Sequence, residues 1–156
     1  MNNPSPSVPS TSIGPPSAAK VIRAFGDEVT VLLSAAETGG KYSMFSMISP
    51  PGGGPPPHFH QNEDEWFWVM EGRAEFFKEG AWTAVPTGTA VYTPRGVVHS
   101  FRNAGDTPLR MVMQTAPSGF ETFFARCADE FAKSSPPDMG RIVAIAAEHG
   151  IHFANG

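Results

Sequence analysis

The stretch HFHQNEDEWFWVMEG, residues 58–72, decides how this chain is read. Side chains two apart on a strand point to the same face, so His58 and His60 aim together. Glu65 lies at an odd offset from His60, and one continuous strand would send it to the opposite face. The polar run QNED between them resolves the conflict: the chain turns there, and Glu65 opens the next strand pointing back at the same centre. Alternation then carries Phe67 and Val69 inward with Glu65 and leaves Trp66, Trp68 and Met70 facing out. The competing reading is a solvated turn between two ordinary strands.

Outward from this stretch the pattern is of short strands. EVTVLLS (28–34), KYSMFSMIS (41–49), EWFWVM (65–70) and RAEFFK (73–78) are strand-like, with ETGG and Glu71-Gly72 as turns. AWTAV, TAVYT, VVHSFRN and LRMVMQT follow, divided by turns at Pro86, Pro94 and residues 104–108. Turn signals roughly every eight to twelve residues indicate a sandwich or closed barrel. Past residue 116 the period changes. In GFETFFARCADEF, Phe120, Phe123, Phe124, Cys127 and Phe131 recur at helical spacing, which predicts a helix docked by its aromatic stripe. A second helix is expected over 138–149, with Asp138 as N-cap and Gly150 as C-cap. The expected organisation is a disordered Pro/Ser-rich arm over 1–19, a β-domain over 20–116, and a helical extension over 117–156 packed on the barrel or on a partner subunit.

Composition narrows the function classes. The 156 residues suit one domain, and the net charge of -4 offers no basic stripe for nucleic acid. No basic amphipathic run points to a membrane surface, and no stretch approaches the length of a span. The N-terminus shows neither early positive charge nor an apolar run, so no signal peptide is expected there. The single Cys127 excludes an intramolecular disulfide framework and fits a reducing compartment, so the expected location is cytoplasmic.

A third histidine, His99, follows the tight turn marked by Pro94 and Gly96. Three imidazoles and a carboxylate suit a first-row transition ion, and four protein ligands leave two octahedral positions open for substrate, water or oxygen. In order and spacing these residues resemble the two motifs of the cupin superfamily. The first reads Gly52-x5-His58-x-His60-x4-Glu65-x6-Gly72, and the second Gly88-x5-Pro94-x-Gly96-x2-His99-x3-Asn103. The histidines carry the match, since three of only five fall at motif positions. The wider pattern resembles the quercetin dioxygenase-like single-domain cupins.

That resemblance implies an all-β, antiparallel jelly-roll barrel with a short C-terminal helical tail. It also implies one divalent metal held by His58, His60, Glu65 and His99. Iron is the first expectation, with nickel, manganese, copper, cobalt and zinc as alternatives. The family's spacing also admits Asp64 as the carboxylate ligand, although its shorter reach makes Glu65 the better match. Glu63 and Asp64 are then read as solvated turn residues, and Glu65 as both ligand and candidate catalytic base. Phe67 and Phe101, each two from a ligand, belong on the ligand face. Met44 and Met113 complete the candidate pocket, although the pattern leaves open which face of each strand is inward. Met and aromatic residues around an open metal fit a small aromatic or other hydrophobic organic substrate.

The function expected is a dioxygenase-type oxidoreductase. The alternatives are a non-catalytic small-molecule-binding cupin and a metal-dependent isomerase or decarboxylase, since the fold alone supports all of these. The expected partners are a small-molecule substrate and a second copy of the chain in a homodimer, with the outward tryptophans either covering that interface or, by default, receiving the C-terminal helices. Neither nucleic acid nor membrane is expected.

Overall fold

The computed structural model describes residues 21–154, together with Thr11. The arm expected over 1–19 otherwise lies outside the described residues. Strand β1 (Val21–Ala24) forms a hairpin with β2 (Asp27–Leu33), and a one-turn helix α1 (Ala35–Thr38) leads to β3 (Ser43–Ser49). Then come β4 (His58–His60), β5 (Asp64–Glu71), β6 (Ala74–Lys78), β7 (Ala81–Val85), β8 (Ala90–Thr93), β9 (Ser100–Asn103) and β10 (Leu109–Ala116). Helices α2 (Phe120–Phe131) and α3 (Met139–Glu148) follow, and β11 (Ile151–Phe153) closes the described chain.

The expectation of an all-β jelly-roll barrel is corrected by this architecture. Among the described residues the strands form three separate sheets. Six strands run in the order β1-β2-β3-β10-β5-β8, three in the order β7-β6-β9, and β11 pairs with β4 alone. None closes on itself, and three helices make the fold mixed α/β. Proline supplies a physical reason. It has no N–H for a ladder, and Pro55, Pro56 and Pro57 stand directly before β4 while Pro86 and Pro94 bracket β8. These runs limit lateral pairing where closure would need it. Helix α1 also replaces part of an expected turn: Ser34 caps it and Glu37 reaches back 2.8 Å to the Ser34 N–H.

Strict alternation builds the core. Phe45 and Met47 on β3 stand opposite Met113 and Met111 on β10, which in turn face Phe67 and Val69 on β5. All six are buried. The three-stranded sheet contributes Ala74, Phe76 and Phe101, with the Phe76 ring centroid 5.2 Å from that of Phe67. Helix α2 lays Phe120, Phe123, Phe124 and Cys127 against this core, the Phe124 ring 5.5 Å from Phe45. Burying side chains of this size contributes about 1.5–3 kcal/mol each. Asp138 caps α3 by accepting from the Arg141 N–H at 3.0 Å. No described helix is long and apolar enough to cross a membrane.

Candidate metal centre

Two strands and one turn bring the motif residues together. His58 and His60 lie on β4, Glu65 near the start of β5, and His99 one residue before β9. A reciprocal backbone bridge fixes His58 to His99, with N–H to C=O distances of 3.0 and 2.9 Å. The turn at 94–96 is tied in by the Gly96 N–H donating to the His60 carbonyl at 2.7 Å. Asp64 anchors the same turn from outside the cluster, accepting from the Arg95 backbone N–H at 2.9 Å and from its guanidinium at 3.0 Å. Adjacent carboxylates therefore part company: Asp64 holds Arg95 at the surface, and Glu65 turns inward.

One ligand-type atom from each of His58, His60, Glu65 and His99 lies within 4.8 Å of the others. All four side chains are buried. The His58 and His99 Nδ1 atoms lie 2.8 and 2.9 Å from the carbonyls of Pro56 and Val97. An N–H donated to those carbonyls fixes both rings and turns Nε2 towards the cluster. His99 Nε2 stands 2.6 Å and His60 Nε2 3.6 Å from Glu65 Oε2.

The electrostatics follow from burial and charge. Burial pulls the His58 imidazole down to about 4, with the neighbouring His99 adding to the effect, so the ring is neutral at pH 7. Burial alone would raise the Glu65 carboxyl. The charges of His60 and His99 and the His99 hydrogen bond outweigh it and hold the carboxyl at about 2. For His99, burial opposes and the Glu65 hydrogen bond prevails, so the imidazole is raised. A neutral imidazole and an ionised carboxylate are the forms that ligate a cation.

His60 tests whether a metal belongs here. Both of its ring nitrogens are buried without a hydrogen-bond partner, a state that costs about 1–3 kcal/mol per group in a folded protein. A cation among the four ligands would engage Nε2. Glu63 Oε2 lies 3.4 Å from Nδ1 and is itself buried and without a hydrogen bond. Glu63 was expected as a solvated turn residue. The structure instead places it against the His60 ring, and sequence spacing gave no signal of this. The donor set fits a divalent transition metal.

An apolar cavity adjoins the cluster. Phe67, Phe101 and Met113 line it, as do Met47, Phe120, Phe123 and Phe124. Met44 does not, and its place among the pocket residues is corrected: it is half-buried on the opposite face of β3 from Phe45 and Met47. The run SMFSMIS is apolar on both faces, so the pattern could not choose between them. The aromatic stripe of α2 both docks the helix and walls the cavity. Ile151 and Phe153 close another side from β11, which pairs with β4 so that Ile151 stands opposite His60 and Phe153 opposite His58.

A histidine–carboxylate cluster beside an apolar cavity defines a metal- and small-molecule-binding site. Residues 45–115 match the family model described as cupin domain. Quercetin 2,3-dioxygenase of Bacillus subtilis is 27% identical over 107 residues, covering 68% of this chain and 32% of that protein. Polyketide synthase CurC of Streptomyces cyaneus is 29% identical over 93 residues, 59% of this chain and 60% of its own length. The chain thus spans less than two thirds of either relative. Among solved structures, a predicted oxalate decarboxylase from Thermotoga maritima superposes with a TM-score of 0.56 at 27% identity, over 58% of this chain and 80% of that one. The polyketide cyclase RemF from Streptomyces resistomycificus gives 0.61 at 21% identity, over 70% and 81%, and speaks to the fold alone. These findings support a single cupin-superfamily domain.

Proposed function

We propose that this chain is a metal-dependent cupin enzyme in which His58, His60, Glu65 and His99 hold one divalent transition metal and the adjoining cavity receives a small aromatic or other hydrophobic organic molecule. The observation that carries this reading is the convergence of four buried ligand atoms at an apolar cavity. When bound, such an ion polarises a substrate oxygen. The protein's own part is to orient and to move protons. The Pro56 and Val97 carbonyls hold two imidazoles in register. Glu65 stands within reach to accept a proton from substrate and return it at a neighbouring atom, and the phenylalanine walls keep water from the reacting centre.

Acid–base chemistry on a metal-held substrate, such as decarboxylation or isomerisation, or binding alone, has broader support than oxygen insertion. A predicted oxalate decarboxylase and an oxalate-binding protein of Thermotoga maritima, 27% and 29% identical, stand on that side. The apolar lining argues for a larger and less charged substrate than oxalate. Dioxygenation is the second reading, favoured by the 27% identity to quercetin 2,3-dioxygenase. The outward Trp66, Trp68, Met70 and Tyr92 support a homodimer through the outer face of the six-stranded sheet.

Elemental analysis of the purified protein beside His99→Ala tests the site. Near-stoichiometric transition metal that falls away in the variant is the expected outcome; a site that stays empty on reloading sinks the reading. In the loaded protein, Glu65→Gln is expected to lower turnover far more than metal occupancy. Turnover that needs no O2 favours acid–base chemistry. Binding without turnover leaves a small-molecule-binding module.

A further inference from the structure

Apart from the histidine–carboxylate cluster, the described lining of the cavity carries one further ionisable side chain, Asp27. It opens β2 just after the turn at Phe25 and Gly26, and is only 3% exposed. Ser49 Oγ donates to its Oδ1, its one protein hydrogen bond among the described residues. A carboxylate accepts up to about four hydrogen bonds, and Oδ2 has no hydrogen-bond partner among the described residues.

The registers place Asp27 away from the metal-ligand cluster. Glu65 is level with Thr115, and Thr115 with Ser43 on β3. Ser49, the partner of Asp27, lies at the other end of β3. At about 3.3 Å per residue, the path along that strand is at most roughly 20 Å. Phe67 and Met113, then Met47, occupy the intermediate levels and line the cavity between the two ends.

We propose that Asp27 is a distal anchor of the substrate chamber: its free oxygen accepts a hydrogen bond from a hydroxyl of an elongated aromatic molecule whose other end meets the histidine–carboxylate cluster. This rests on the reading of the cavity as a chamber for a hydrophobic organic substrate. A mainly apolar pocket with a few separated polar groups fixes the orientation of its ligand in this way. A purely structural Asp27 is the competing account, but an asparagine would serve Ser49 equally well without a buried charge. Burial holds the Asp27 carboxyl up at about 6, so keeping it there costs stability at neutral pH. Such a cost is characteristic of functional positions.

The test is calorimetric titration of the metal-reconstituted full-length protein with two probes. Quercetin and 3-hydroxyflavone share a metal-binding hydroxy-ketone, but only quercetin carries hydroxyls on its distant rings. Wild-type protein is expected to prefer quercetin. Asp27→Ala should weaken quercetin binding about tenfold or more while leaving 3-hydroxyflavone within about twofold. Asp27→Asn, whose one oxygen is taken by Ser49 and whose amide would stand in place of Oδ2, should lose most of the preference. Should the alanine variant not fold, Asp27→Leu carries the same expectation. Equal weakening of both probes, or of neither, overturns the anchor and leaves the chamber intact. If neither probe binds the loaded wild-type protein, the aromatic-substrate reading fails, and the anchor fails with it.

Discussion

Glu63 and Glu65 are two residues apart and of one chemical type, yet they touch different atoms of the same ring. Glu65 lies on the Nε2 side of His60, and Glu63 lies 3.4 Å from Nδ1. A carboxylate behind a ligating imidazole fixes its orientation and raises its basicity, and losing such a partner typically costs 10- to 100-fold in metal affinity. Glu63→Gln is therefore expected to weaken metal binding by about tenfold in chelator competition, with the fold unchanged by circular dichroism. An unchanged affinity would reduce Glu63 to a bystander. The convergence of His58, His60, Glu65 and His99 was legible because period-two spacing and a polar turn are properties of local sequence. Glu63 was not, because nothing local shows that its side chain folds back over His60.

Asp27 gives a pH prediction with a definite sign. Its folded value of about 6 exceeds the ordinary 3.8, so the folded chain binds this proton more tightly than the unfolded chain. The associated stabilisation is full below the ordinary value and lost as pH rises through 6. Asp27→Asn should accordingly stabilise the metal-free protein by about 1–3 kcal/mol at pH 8, with a gain that shrinks towards pH 5. Urea denaturation at the two pH values checks this. His58 has the opposite sign, its depressed value favouring the folded state above pH 6.5 and losing that contribution towards about 4. The difference between variant and wild type isolates Asp27 from it. A gain independent of pH would refute the assignment.

At the scale of elements, the loop entering β4 is set by one glycine. A Cβ on Gly54 would stand 2.1 Å from the Phe101 carbonyl oxygen, and its φ is +133°. Gly88, a motif glycine at φ +83°, has nothing within 4 Å of that position. Gly54→Ala is therefore expected to cost more than about 3 kcal/mol or to abolish folding, whereas Gly88→Ala should cost only about 1 kcal/mol of backbone strain. Thermal melts of the two variants check this difference, and comparable losses would contradict it. The strands of residues 65–115 were legible because each alternates and ends in a turn residue. By contrast β11 is three residues long and follows a helix cap directly, too short for a period to register. The aromatic run of α2 announced a helix but not that its phenylalanines would also wall a cavity, since the same spacing serves both.

At the scale of the whole molecule, the jelly-roll barrel implied by the motifs did not follow into the architecture. Motif spacing governs which residues meet around the cluster, whereas closure depends on how the strand edges pair, which the same motifs leave open. The six-stranded sheet keeps an outer face on which Trp68, Met70 and Tyr92 are 48%, 54% and 54% exposed, with Trp66 stacked on Tyr92 at 5.1 Å. The proposed homodimer would form through this stripe. A concentration-dependent dimer is expected by sedimentation velocity, and Trp68→Glu should shift it towards monomer while leaving metal content unchanged. A wild-type protein that stays monomeric at high concentration would remove the homodimer.

The pairing of β11 with β4 has a consequence in time. The ribosome makes His58, His60, Glu65 and His99 long before it reaches Ile151, yet Ile151 and Phe153 are the residues that pair with the two β4 histidines. A nascent chain therefore carries all four residues while the strand that pairs with two of them is still unmade. A message cut short after α3 would yield a chain that carries His58, His60, Glu65 and His99 and lacks the strand that pairs with β4.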